Sequence, residues 1–348
     1  MSNTHVGGRY ASLDYLRGLM ALAVLVFHFD KWQTGVWDAN SFQGRLGVYA
    51  VSTFFVLSGL SLALSYENRL TASFRSIKPF FLKRFWRIYP LLWLATIGTL
   101  LLDESPRPAL DIVLNVSGLF GFVNPAHDLA TGAWSIGCEL VFYAFFPLLL
   151  WVFRWNRLAL AGVFAGLFSV GIGGAFAWFD PLYPDQTVWW EAYVQVLNHA
   201  FFFVGGMLMA AHRSELSQQK ALWAILGLSA LLIFAFWPLG SEPFALVSGW
   251  NRAVLSACCL LGVAGCFATN IAFRGLLHRI LHELGAISYA LYLLHPLVYR
   301  ATQAFFRKID WAAGYWTVLG VGLTGSVLLS LVSYYYMEKP LMRLGASA

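Results

Sequence analysis

The chain has 348 residues, of which 59% are hydrophobic and only 11% charged, with a formal net charge of +6 and a mean hydropathy of +0.65. A water-soluble domain carries roughly 25% charged and 45–50% apolar residues, so this composition excludes a disordered chain, a disulfide-knit secreted module and an ordinary soluble enzyme. About ten apolar spans of ~20 residues use most of the length. The expected fold is an all-α polytopic membrane protein, one domain over residues 1–348 with its bundle over about 12–340.

In chain order, hydropathy predicts spans over 13–29, 46–66, 90–102, 134–153, 157–179, 193–211, 221–237, 252–272, 284–303 and 315–337. No small-residue cleavage site follows the first apolar run, which is therefore expected to remain as a helix. A further weakly apolar stretch, 111–123, contains Asn115, Ser117 and two glycines. It is too short to span and is predicted to be re-entrant or interfacial. The cysteines Cys138, Cys258, Cys259 and Cys266 lie in apolar runs without disulfide or metal spacing, and are expected to be packed thiols.

Charge sets the expected orientation. With both termini in the cytoplasm, 15 of the lysines and arginines fall in inner segments and 7 in outer ones, leaving Arg17 inside a helix. Arg45 and Arg252 count among the outer seven, Arg9 among the inner fifteen. Most acids, Glu104, Asp180 and Asp185 included, fall in outer segments. The positive charge is thus a topology signal, with no nucleic-acid partner implied.

Ionisable groups within apolar spans are costly and each is a functional candidate. The first span carries Asp14, Arg17 and His28. Asp14 lies one turn before Arg17 and can pair with it. His28 projects from nearly the same side as Arg17, ~16 Å further along the axis. Counting residues along the fourth span puts Glu139 in the same outer-leaflet layer as His28. A carboxylate there is expected to orient the imidazole for general base or acyl-acceptor chemistry. Ser135 and Tyr143 flank Glu139, Asn198 and His199 lie at similar depth, and Tyr289, Tyr292 and His295 form a polar side of the ninth span.

At the inner edge, Lys83, Arg84 and Arg87 alternate with Phe80, Phe81, Phe85 and Trp86 between the second and third spans. Such a segment either lies in the headgroup layer or grips a polyphosphate through Arg84 and Arg87, one turn apart. A phosphate-cradling glycine loop, a zinc motif and a nucleophile elbow are all missing from the sequence, and glycine runs such as 162–174 are expected to serve close helix packing.

Six fragments in order resemble the membrane-bound acyltransferase family 3, the bacterial O-acyltransferases of envelope and secreted glycans. They are Leu13-Asp14-Tyr15-Leu16-Arg17-Gly18 with His28; Ser52 to Gly59; Lys83-Arg84 through Arg87 to Pro90; Trp134-Ser135 through Glu139 to Tyr143; Ile287-Ser288-Tyr289 through Tyr292 to His295-Pro296; and Tyr336-Met337-Glu338-Lys339-Pro340. The resemblance implies that His28 is catalytic, that Arg17, Arg84 and Arg87 serve an acyl-CoA donor (acetyl or succinyl), and that Glu139 matches a family carboxylate. It also implies a multi-pass protein of the bacterial inner membrane acting on a glycan, glycolipid or other hydroxyl acceptor, with no permanently bound cofactor. A homodimer is an open assembly. Leu60 stands where phenylalanine is common, and the hydrolase-like extracytoplasmic domain of longer members is not expected. From the residues alone, a transporter or flippase with a proton relay through His28, Glu139 and His295 is the alternative, although matched broken helices are lacking.

Overall fold

In lipid a spanning backbone must satisfy its own hydrogen bonds, which leaves helices for a chain this apolar, and every regular element among the described residues is helical. The computed structural model describes residues 10–71, 73–103, 106–177 and 186–347. The elements are α1 (Ala11–Thr34), α2 (Phe42–Tyr66), α3 (Phe74–Leu102), α4 (Ala109–Ser117), α5 (Phe120–Val123), α6 (Trp134–Trp155), α7 (Arg157–Ala177) and α8 (Gln186–Tyr193). They continue with α9 (Ala200–Ala211), α10 (Arg213–Gln218), α11 (Lys220–Phe236), α12 (Gly249–Thr269), α13 (Gly275–Ala286), α14 (Ser288–Lys308), α15 (Tyr315–Ser333), a π-helical turn Tyr334–Glu338, and α16 (Lys339–Ser347).

Among the described residues, seven helices are long and apolar enough to cross a membrane: α1, α2, α3, α6, α7, α12 and the run Tyr315–Gly345. The protein is therefore an all-helical polytopic membrane protein. The other expected spans fall on α9 and α11, which are apolar but shorter, and on α14, which carries more polar residues. The end of the fifth expected span (178–179) and the charges Arg9, Glu104, Asp180 and Asp185 lie outside the described residues.

Charges gather at two ends of the bundle. At one end Arg157 pairs with Glu215 (2.8 Å), Arg213 with Glu67 (2.6 Å), and Arg154 donates to the Glu67 carbonyl (2.6 Å). At the other, Arg107 pairs with Asp103, and Tyr315 donates to Asp30 (2.8 Å). α1 runs between the ends and packs on α2, α12, α13, α14 and α15, while α2 packs on α9 and α12.

Four local expectations meet the structure, and all but the second are corrected at least in part. First, α3 begins well before Pro90 and runs unbroken through Pro79 and Pro90, so the basic-aromatic segment is the first half of a helix and not a separate surface element. A proline within a membrane helix is tolerated when neighbours satisfy the freed groups. Second, the stretch near 111–123 forms α4 and α5, and α3 fixes them: Tyr89 and Trp93 donate to the last-turn carbonyls of Ser117 and Val116, each at 2.8 Å. Leu110, Val113, Val116, Phe122 and Val123 stay exposed, as suits a short segment facing lipid. Third, the 162–174 run is close-packed at Gly171, where a Cβ falls 2.8 Å from the Phe201 ring, but not at Gly162, Gly166 or Gly173, where a Cβ meets nothing within 4 Å. Close packing also uses Gly18 against Gly285, where a Cβ on Gly18 falls 2.7 Å from the Gly285 nitrogen and one on Gly285 falls 2.3 Å from the Asp14 carbonyl. That contact presses α13 onto the turn of α1 carrying Asp14 and Arg17.

Fourth, two arginines counted as outer charges are core residues: Arg45 is 1% exposed and Arg252 2%. The helix predicted over 193–211 breaks between α8 and α9, and Arg252 fills the break. Its guanidinium donates to the Asn198 carbonyl (3.0 Å) and lies 5.4–5.5 Å from the ring centroids of Tyr49, Tyr193 and Phe202. Asn198 and His199 turn back to the carbonyls of Ala192 and Tyr193. These polar groups thus bond mainly with one another, while Arg252 Nη1 and the Tyr193 hydroxyl have no hydrogen-bond partner among the described residues. Arg252→Ala removes a desolvated cation–π cluster and orphans a buried carbonyl, together worth about 3 kcal/mol. Its thermal midpoint in detergent is expected to fall by several degrees, with Arg252→Lys restoring only part.

Candidate active site

A cavity of about 790 Å³ opens among α1, α2, α3, α6, the α13–α14 junction and the π turn. Arg69, Tyr66 and Tyr10 line it toward the basic end, and Ser135, Tyr292 and Phe54 line it deeper in the bundle. Arg17, Arg84 and Arg87, drawn from α1 and α3, converge on it with the carboxylates of Asp14, Glu139 and Glu338.

Each cation is held differently. Arg17 donates to Asp14 (2.9 Å), to the Leu57 carbonyl (3.3 Å) and to the Ser61 hydroxyl, so α2 and Asp14 fix its fork. Arg84 lies over the rings of Tyr143 (5.6 Å) and Phe80 (6.0 Å), and its buried Nε finds no hydrogen-bond partner among the described residues. Arg87 keeps an exposed surface on the cavity, within electrostatic reach of Glu139 and Glu338. A planar guanidinium with unused donors on a polar cavity suits a phosphate or carboxylate ligand.

Glu139 accepts from Ser58 (2.7 Å) and from Tyr143. It is therefore a member of the arginine-lined cavity. Glu338 is the residue that sequence reasoning missed. It is 4% exposed, with one oxygen unpartnered among the described residues, and the π turn carries it into the cavity. The signal was the Tyr336 to Pro340 fragment: Pro340 has no N–H to give the Tyr336 carbonyl, which disrupts the regular ladder just where the wider turn forms.

At the deep end the hydroxyls of Tyr292 and Ser135 lie 2.9 Å apart, and both reach the carbonyl of Gly132 (3.0 and 2.9 Å). Gly132 adopts φ +85°, a left-handed conformation that turns this carbonyl toward the two hydroxyls at no steric cost. One helical turn beyond Tyr292 on α14 stands His295, 1% exposed, with the two rings 6.4 Å apart.

His295 is the partner of His28: Nδ1 of His28 and Nε2 of His295 are 2.8 Å apart and the rings stack at 5.1 Å. This corrects the expected His28–Glu139 pairing and the shared layer behind it, since Glu139 bonds Ser58 on the stretch of α2 that Arg17 reaches at Leu57 and Ser61. α1 packs against α14, so a residue of α14 meets His28, whereas Glu139 meets α2 through Ser58. The other ring nitrogen of His295 lies 3.0 Å from the Leu291 carbonyl, which can only accept. His295 therefore carries its proton on Nδ1. With both rings neutral, its Nε2 accepts from the Nδ1–H of His28, and the free lone pair of His28 is on Nε2. His28 is only partly buried, with Trp32 stacked on it at 4.9 Å.

The structure thus collects the expected residues into two connected groups. Arg17, Asp14, Arg84, Arg87, Glu139, Tyr143, Ser135 and Tyr292 line or contact the cavity, and His28 with His295 sits one ring contact beyond it.

The profile of the acyltransferase domain of family 3 matches residues 10–335. The chain is similar to Nodulation protein 10 of Rhizobium leguminosarum bv. viciae, 26% identical over 388 residues that cover 99% of this chain and 97% of that protein. It is similar to Acyltransferase MdmB of Streptomyces mycarofaciens, 27% identical over 390 residues, 97% of this chain and 92% of that protein. A protein of Staphylococcus aureus (strain COL) named as an O-acetyltransferase is 30% identical over 161 residues, 40% of this chain and 24% of that longer protein. No solved structure matches. The chain belongs to acyltransferase family 3 and is a multi-pass membrane acyltransferase.

Proposed function

We propose that the protein moves an acyl group, acetyl or succinyl, from cytoplasmic acyl-CoA to a hydroxyl of a glycan or glycolipid on the far side of a bacterial inner membrane. In this reading ten helices span the bilayer and both termini are cytoplasmic. The observation that carries it is the continuity of one cavity, arginine-lined toward the basic end and ending at Tyr292, with the His295–His28 pair next along α14 and α1.

The phosphates of CoA sit on Arg84 and Arg87, with Arg17 nearer the membrane interior. The α1 helix is unbroken between Arg17 and His28, so they stand ~16 Å apart along its axis, a span that a pantetheine arm covers. The thioester then lies beside His28. Nε2 of His28 removes the acceptor hydroxyl proton as the hydroxyl oxygen attacks the thioester carbonyl. The C–S bond breaks, and the CoA thiolate leaves and takes up that proton. His295 positions the base, and Glu139 holds Ser58 and Tyr143 in the donor cavity.

The test is stoichiometric. Purified protein in nanodiscs, given acetyl-CoA and envelope glycolipid extract, is expected to release one CoA thiol per ester formed, read with a thiol-reactive dye and by mass spectrometry of the glycolipid. Ester formation without CoA release would overturn the donor assignment. Movement of glycolipid across the bilayer with neither product would favour a flippase.

A further inference from the structure

A second cavity, of about 500 Å³, opens at the end of the bundle opposite the basic one, between the last turns of α1, the second half of α14 and the start of α15. Its walls are flat aromatic faces from Trp32, Tyr299, Trp311 and Tyr315, with Gln33, Gln303 and Arg307 among them. Trp32 is the shared wall. One face of its indole stacks on His28 at 4.9 Å with 14° between planes, and its ring lies 4.9 Å from that of Tyr299. The cavity therefore ends one ring thickness from the imidazole, on the side away from the arginines.

The lining also specifies a chemistry. The amide N–H of Gln33 is used on the Phe29 carbonyl (3.3 Å) and that of Gln303 on the Tyr299 hydroxyl (3.2 Å). Both amide oxygens are left without a donor among the described residues, and each amide keeps a second N–H, so the walls present acceptors beside the donors of the amides and Arg307. Aromatic faces beside unfilled acceptors fit a ring with apolar C–H faces and O–H groups around its edge. A lipid tail would use the faces and leave the acceptors unpaired.

We infer that this cavity is the acceptor subsite and takes a pyranose ring, stacked on the Trp32–Tyr299–Trp311 walls with its hydroxyls donating to Gln33 and Gln303. The assignment of a glycan acceptor rests on the reading above; the location and the recognising residues go beyond it. Trp32 then has two tasks, holding the plane of His28 and forming the floor on which the sugar sits.

The test measures sugar contact independently of transfer. Wild-type protein in nanodiscs is mixed with a panel of methyl pyranosides (gluco, galacto, manno, N-acetylglucosamino and glucurono), and saturation-transfer NMR reads which ring protons touch the protein. At least one panel member is expected to show contact. Trp311→Ala should weaken that binding about five- to tenfold, and Gln303→Leu about tenfold. Both lie outside the donor cavity, so acyl-CoA affinity should be unchanged. The two are made separately so that misfolding of one, seen by gel filtration, leaves the other. Absence of contact from every pyranoside, contact equal in wild type and both variants, or contact only from phospholipid headgroups overturns the proposal. The CoA-release measurement on the same samples separates the two readings. Sugar contact without thiol release refutes the transferase reading alone, and thiol release with variant-insensitive sugar contact refutes the subsite alone.

Discussion

Replacing His28 with alanine is expected to lower acyl transfer by about 10²- to 10⁴-fold, the range for losing a general base, while acyl-CoA still binds. On the proposed function the donor contacts are Arg17, Arg84 and Arg87, which line the cavity, and the His28–His295 pair lies beyond that part of it. His295 should behave differently from His28. Its Nδ1–H is committed to the Leu291 carbonyl, and its Nε2 keeps the proton of His28 on Nδ1. His295→Ala removes that control, and a loss of about 10- to 100-fold is expected for an outer partner of this kind. His295→Gln offers an amide oxygen near the position of Nε2 and should recover most of the rate. A pH–rate profile distinguishes positioning from packing: loosened packing lowers the whole curve by one factor, whereas release of the tautomer moves the limb that reports the base. Equal losses in His295→Ala and His295→Gln, with profiles of unchanged shape, would remove His295 from the mechanism.

The difference between His28 and His295 also marks how far the sequence could be read. Hydropathy located the helices because a bilayer punishes every polar residue in the same way, and the order of Asp14, Arg17 and His28 on α1 followed from helix geometry alone. Depth across helices was not legible: counting residues fixes a layer only where the helix end lies at the membrane surface, and it says nothing about whether two helices touch. Glu139 was therefore assigned to His28, although it bonds Ser58 of α2 at the level of Arg17, not of His28, and α14 supplies His295 instead. Arg45 and Arg252 show a second limit. An arginine at the end of an apolar run reads as an interfacial charge, and only tertiary structure reveals that Arg252 plugs the break before α9. Glu338 shows a third, because a π turn shifts the helical phase and with it the face on which every later residue lies.

Arg84→Gln with Arg87→Gln is expected to weaken acyl-CoA binding by about 10²- to 10⁴-fold. Each charge-assisted hydrogen bond contributes about 1.5–3 kcal/mol, and the two arginines stand one helical turn apart on the same cavity. Each single variant should lose about 10- to 100-fold. The Arg→Lys pair should fall between, because a lysine keeps the charge but not the fork that grips two phosphate oxygens. Isothermal titration of CoA into nanodiscs measures the loss, and raising the salt from low to physiological should weaken wild-type binding more than that of the double variant, since screening acts on the charges the variant has lost. The same experiment decides between the two roles the sequence left open. A headgroup anchor predicts unchanged CoA affinity and lower retention in the bilayer. The structure argues for the ligand role on a specific ground: Arg84 lies over Tyr143 with a buried, unpartnered Nε, in the cavity that also holds Arg17 and Glu139. A residue serving lipid headgroups would instead direct its donors out of the bundle.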